Sequence, residues 1–148
     1  MTIRETLAAR AAALAGVDLV ALRARMNQQA GEAERRAVAG WYRQAGYEVV
    51  NFSQPGVPRG KRGLRGTFQT PGWPDLVVMD LAVDPPELWA HEVKAGAARP
   101  TAAQRRMIGL LKRCGIRTLV GDAETAKAEL RRRGRLVVRR GVEVLTHA

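Results

Sequence analysis

The stretch PGWPDLVVMDLAVDPPELWAHEVKAG, Pro71 to Gly96, holds two apolar runs separated by a Pro-rich turn. Their lengths and β-branched content predict strands over about Asp75–Leu81 and Leu88–Lys94, joined by AVDPPE. Both strands carry ionisable residues where a buried strand has no use for them. Side chains two apart share a face, so Glu92 and Lys94 point together with Ala90 and Leu88 behind them, while His91 and Val93 face the other way. Charges on one face of a core strand need partners or a metal, because an isolated buried charge is costly. Asp75, opening the preceding strand, is the natural companion of Glu92. Two carboxylates from adjacent strands make a hard oxygen site suited to Mg²⁺ or Mn²⁺. Lys94 beside them adds a compact positive charge. The plainer alternative is a Glu92/Lys94 pair at a sheet edge, with Asp75 serving only as a turn residue after Pro74.

Working outward, YEVVNF reads as a further strand before this pair, and IRTLVG as one after it. Thr101 to Arg113 has helical spacing, and DAETAKAELRRRG reads as a helix capped by Asp122. RLVVRRGVEVL closes the chain as a strand or as a hairpin turning at Arg140-Gly141. Three helices are expected before the sheet: one stopped by Gly16, one from about Asp18 to Gly31, and one from about Glu32 to Ala45. After the first strand comes a long basic loop, Ser53 to Gly72, rich in Gly and Pro; loops of this length are usually functional or mobile. The order predicts an α/β domain with a mixed sheet flanked by helices.

The chain has 148 residues, and 46% of them are hydrophobic, which fits a globular domain and excludes a disordered one. Its formal net charge is +11, and from Ala95 onward 13 Lys/Arg stand against 4 Asp/Glu. Such a surplus points to a polyanionic partner, nucleic acid ahead of acidic lipid. The single cysteine, Cys114, excludes an internal disulfide and a Cys-based metal cluster; at a helix end it reads as a buried or half-buried structural thiol. No apolar run approaches membrane-spanning length, and the Ala-rich N-terminus lacks the core of a signal peptide, so a cytoplasmic protein is expected.

The wider text GWPDLVVMD…LWAHEVKAG…RPTAAQRRMIGLLKRCGIRTLVG resembles the virus-type replication-repair nuclease (VRR-NUC) family of the PD-(D/E)xK superfamily. The resemblance spans roughly Glu32 to Val120, and its carriers are Gly72-x-Pro-Asp75, Glu92-Val93-Lys94, Gln104 and the strand after Gly115. It implies a restriction-endonuclease-like fold over 31–148, preceded by a helical extension over 1–30. It also implies a metal-dependent DNA endonuclease, with branched, Holliday-type junctions among the family's substrates. Asp75, Glu92 and the Val93 carbonyl would then bind metal, and Lys94 would be catalytic. An ordinary duplex endonuclease of restriction or repair type is the enzymatic alternative, and an inert nucleic-acid-binding module the non-enzymatic one.

Gln104 has two readings. Thr101-x-x-Gln104 is a capping box, yet Gln104 shares a face with Ile108 and Leu111, and the family places a glutamine near the active site. Family members also carry an acid on the helix before the sheet. Glu34, one turn before Val38, is chosen over Glu32, although either could simply complement a helix N-terminus. For DNA contacts the candidates are Lys61, Arg62 and Arg65 on the basic loop and Arg131, Arg132 and Arg133 in the RRRGR run. His91 is on the wrong strand face for a metal, Asp80 is on the face opposite Asp75, His147 lies at a frayed end, and Trp73 reads as packing that could abut substrate. A homodimer is expected, since one short chain supplies one site and cutting two strands needs two; the stripe Leu19, Val20, Leu22 and Met26 could bury against a second copy or equally pack on its own domain.

Overall fold

The computed structural model describes residues 18–52 and 71–146. Expectations for the helix ending at Gly16, for Lys61, Arg62 and Arg65, and for His147 lie outside the described residues. The chain divides into two compact units after Ala33. In the first unit, Asp18 accepts hydrogen bonds from the backbone N–H groups of Val20 and Ala21 and starts helix α1 (Leu19–Gln44). Two helices were expected here, broken at Gly31; one helix runs through it. A helical glycine costs about 1 kcal/mol relative to alanine, too little to end a helix otherwise made of good formers. Val20 and Met26 on this helix are exposed, at 78% and 60%.

The second unit is built on a four-stranded sheet in the order β1 (Glu48–Asn51), β2 (Leu76–Asp80), β3 (Glu87–Val93), β4 (Arg117–Gly121). β1, β2 and β3 run antiparallel, and β3 and β4 run parallel, so the sheet is mixed as expected. The parallel step needs a crossover, and α2 (Ala102–Arg113) supplies it. α3 (Ala123–Arg132) follows β4, capped by the Asp122 carboxylate on the N–H groups of Glu124 and Thr125. β5 (Leu136–Arg139) and β6 (Val142–Leu145) form a separate hairpin, turning through Arg140 and Gly141 at φ 53° and 77°. Two successive positive φ values are what a two-residue hairpin turn requires. Among the described residues no helix is long and apolar enough to cross a membrane.

The two sheet faces are separated by the alternation of β3. His91 accepts at Nδ1 from the Tyr42 hydroxyl, 2.8 Å away, which puts the second half of α1 on the face of His91, Trp89 and Val93. The main core lies there: Val38, Ala39 and Tyr42 from α1, Leu76 and Val78 from β2, Ala126 and Leu130 from α3, with Leu136 of the hairpin. Tyr42, Tyr47, Trp89 and His91 meet edge to face. α2 covers the other face, turning Ile108 and Leu111 inward. Cys114, expected to be at least half buried, is exposed, because it is the C-cap of α2 where the chain leaves the helix.

His91 is a fully buried ring between two fixed partners. Its Nε2 lies 3.2 Å from the Gly121 carbonyl, which can only accept, so Nε2 carries the proton and Nδ1 receives the Tyr42 O–H. Burial pushes its pKa below the ordinary 6.5, against the pull of the Gly121 carbonyl. Above about pH 6.5 the ring is neutral in both folded and unfolded chains. Below that, the unfolded chain takes up a proton that the folded one accepts only at lower pH, so the ring's contribution to stability is full above 6.5 and declines as pH falls. In urea titrations from neutral pH downward, wild type is expected to lose stability faster than His91→Gln. Parallel curves would show that the folded ring is already free to charge.

Candidate active site

Glu92 is the residue that needs explaining. Its side chain is 0% exposed on the α2 face of a central strand. The strand register sets Leu76 against His91, which places Asp75 one step further along, beside Glu92 and on the same face. Asp75 Oδ2 accepts the Val93 N–H at 2.9 Å, and the Asp75 carbonyl accepts the Phe52 N–H at 2.8 Å. The acid is thus pinned between the ends of β1 and β3 just before β2 begins.

Two donors converge on one oxygen of Glu92. Lys94 Nζ is 2.9 Å from Oε1, and Gln104 Nε2 donates to the same atom at 2.5 Å. The other oxygen, Oε2, is buried and has no hydrogen-bond partner among the described residues. Burial raises the Glu92 carboxyl above the usual carboxylate range, with the Lys94 contact pulling the other way and the nearby Asp75 charge pushing further up. A positive charge brought to Oε2 would relieve both desolvation and repulsion.

Gln104 forms the capping box and also reaches Glu92. Its Oε1 accepts the Thr101 N–H at 2.8 Å while its own N–H donates to Thr101 Oγ1 at 3.2 Å, completing the capping box. That leaves the amide nitrogen facing the sheet, where it meets Glu92. The cap therefore fixes the amide orientation. Gly72 fixes the cap in turn: at φ 83°, a Cβ on it would stand 2.3 Å from the Ala103 carbonyl oxygen and 2.7 Å from Gln104 N. Only glycine permits this approach of the Gly72-Trp73-Pro74-Asp75 turn to the first turn of α2. Sequence reading had treated this glycine as part of a motif, without its packing role.

The remaining candidates have partners of their own. Glu34 Oε1 accepts the Ala123 N–H at 2.8 Å, so its carboxylate caps the start of α3. Among the described residues no group of three or more His, Cys, Asp and Glu could hold a metal ion. Glu32 contacts Gln28 within its own helix. Trp73 packs edge to face on Phe52, with ring centroids 5.8 Å apart. Asp80 is buried on the opposite face, as expected, near Arg133.

The arginine run is drawn largely into internal pairs. Arg133 is 12% exposed, lies 3.8 Å over the Trp89 ring, and bonds Glu129 and Glu87. Arg132 and Arg117 also bond the buried Glu129 carboxylate. Burial alone would raise that acid, but the arginines outweigh it and hold it below the usual range. Arg131 pairs with Glu143. Sequence reading missed Glu129, whose signal was one acid three and four residues before the arginines.

Compared with family models, curated proteins and solved structures, the chain matches none.

Gly72→Ala is expected to destabilise the fold by about 3 kcal/mol, from a forced positive φ combined with a backbone clash. Gln104→Ala loses the cap and one Glu92 donor, for about 2 kcal/mol. Denaturant midpoints of both variants check this; a Gly72→Ala protein as stable as wild type would mean that the turn is not seated on α2.

Proposed function

We propose that the chain is a divalent-cation-dependent DNA endonuclease of the PD-(D/E)xK type, similar to VRR-NUC nucleases and on a restriction-endonuclease-like fold. One observation carries the reading. A fully buried glutamate shares one oxygen between a lysine and a glutamine, keeps the other unpartnered, and stands beside a second carboxylate. A binding surface for a polyanion gains nothing from acids set into its own sheet.

The donor set suits Mg²⁺ or Mn²⁺. Mg²⁺ is commonly held by one or two carboxylates, with waters and substrate phosphate oxygens completing its shell, so two acids suffice. Asp75, Glu92 and the Val93 carbonyl would hold the ion. When bound, it supplies an acidified water and neutralises charge on the scissile phosphate. The chain's own groups do the rest. The Lys94 ammonium, 19% exposed and anchored on Glu92, orients the attacking water and steadies an anionic phosphate oxygen. Gln104 holds the Glu92 rotamer and leaves Oε2 as the free donor. On sequence grounds Lys61, Arg62 and Arg65 contribute phosphate contacts. Branched DNA is the substrate class that the resemblance favours, and a two-fold dimer would present two such sites to the two strands of a junction.

The decisive experiment incubates supercoiled plasmid and a four-way junction with Mg²⁺, Mn²⁺ or EDTA. Cleavage is expected with either ion and none with EDTA. Asp75→Ala and Lys94→Ala are expected to abolish cleavage while DNA binding survives, and Asp75→Ala to weaken metal binding as well. Full activity in Asp75→Ala would sink the site assignment. Binding without cleavage under every condition would favour the inert module. Light scattering tests the dimer: a monomer that still resolves junctions would mean that the strands are cut one at a time.

A further inference from the structure

The charge surplus is not spread evenly over the two helices that follow the site. From Ala95 to Gly121 the chain contains six Lys/Arg and no Asp or Glu. On α3 the arginines meet acids: Glu124, Glu129 and Glu143 take up Lys127, Arg131, Arg132 and Arg133. On and before α2 there is nothing to meet. Arg99, Arg106, Lys112 and Arg113 are exposed, and none makes an ion pair with another described residue. With Gln104, Ile108 and Leu111 turned inward, the 100° step per residue sends Arg106 and Arg113 directly outward, with Lys112 on the flank.

Gly109 lies between them on the same outward face. A Cβ there would meet nothing within 4 Å, and its helical backbone does not require glycine. Helix stability alone would favour almost any other residue. A gap in the middle of a cationic helix face lets another backbone come close, as phosphate contacts need. The inner side of the same helix bears Gln104, which touches Glu92, so one helix carries both the cationic face and a residue of the candidate site. An anionic membrane is a poorer partner, because the outward face lacks the apolar half that interfacial helices bury; Leu110 is its one large exposed apolar side chain.

We infer that the outer face of α2, with Arg106 and Arg113 on either side of Gly109, Lys112 on its flank and Arg99 ahead of the helix, is the surface on which a nucleic-acid backbone lies. The inference takes its partner from the proposed nuclease reading but concerns binding rather than cutting. It shifts the main phosphate surface away from the arginine run of α3.

The test measures affinity for a short labelled duplex in EDTA over a range of salt concentrations. Arg99→Ala/Arg106→Ala/Lys112→Ala/Arg113→Ala replaces exposed cations by the best helix former, so the fold is retained, which circular dichroism checks. Each lost phosphate contact lowers the log–log salt slope by about 0.9, so a fall of about 2 to 4 is expected. Gly109→Leu is expected to raise the thermal midpoint yet weaken duplex binding. An unchanged slope in the quadruple variant overturns the inference, more so if Arg131→Ala/Arg132→Ala flattens it instead. Binding to phosphatidylserine vesicles in place of duplex would also overturn it. If wild type cuts no DNA but the slope still falls in the variant, the nuclease reading fails and the surface stands. Cleavage with an unchanged slope gives the reverse.

Discussion

A carboxylate with no exposed surface governs this structure. Glu92 sits in the middle of the sheet, where an unpaired charge would be prohibitively unfavourable. Its accommodation therefore dictates what surrounds it. Lys94 is two residues on, on the same face, so the strand itself delivers one partner. Gln104 comes from the crossover helix, which must begin at one particular height above the sheet. Gly72 lets the preceding turn press against that helix start. Two donors, one from β3 and one from α2, converge on one oxygen, and the second oxygen has no hydrogen-bond partner among the described residues. That asymmetry is hard to reconcile with an ion pair that serves stability alone, since replacing such pairs by apolar residues is often neutral or better.

The opposite face solves a similar problem in a closed way. His91 is as buried as Glu92, but both of its nitrogens are satisfied, by Tyr42 and by Gly121. Glu129 is likewise enclosed by Arg117, Arg132 and Arg133. These groups tie α1 and α3 to the sheet. The contrast sets apart Glu92, whose Oε2 has no hydrogen-bond partner among the described residues, with Asp75 beside it. It also changes the meaning of the chain's basicity: the arginines densest in sequence serve the fold, while the sparser cations of α2 face solvent without counter-charges.

Much of the architecture could be read from the residues alone. Period-two alternation identified β2 and β3, set Glu92 and Lys94 on one face, and set His91 and Asp80 on the faces where they are found. Thr101-x-x-Gln104 announced a helix start, Asp122 announced another, and Arg140-Gly141 a tight turn. These are local signals, decided by a few neighbouring residues, and local chemistry suffices to read them. Gly31 misled because a lone glycine weakens a helix without ending it. Cys114 misled because a helix end can leave even an apolar side chain in solvent.

Long-range partnerships were decided only in three dimensions. The inward helix position of Glu34 could be read from its spacing, but its hydrogen-bond partner, the Ala123 N–H at the start of α3, could not. Arg133 was read as a phosphate ligand from its company of arginines; Trp89 and Glu129, distant or unremarked in sequence, hold it inside. The bond from Gln104 to Glu92, the seat of Gly72 on Ala103, and the unpartnered Oε2 depend on how α2 is laid across the sheet. Sequence determines which residues can share a strand face or a helical stripe, because those periods are properties of the backbone itself. Which stripe meets which face is a property of the packed whole, and here that packing separates a charge that is enclosed from one that is left open.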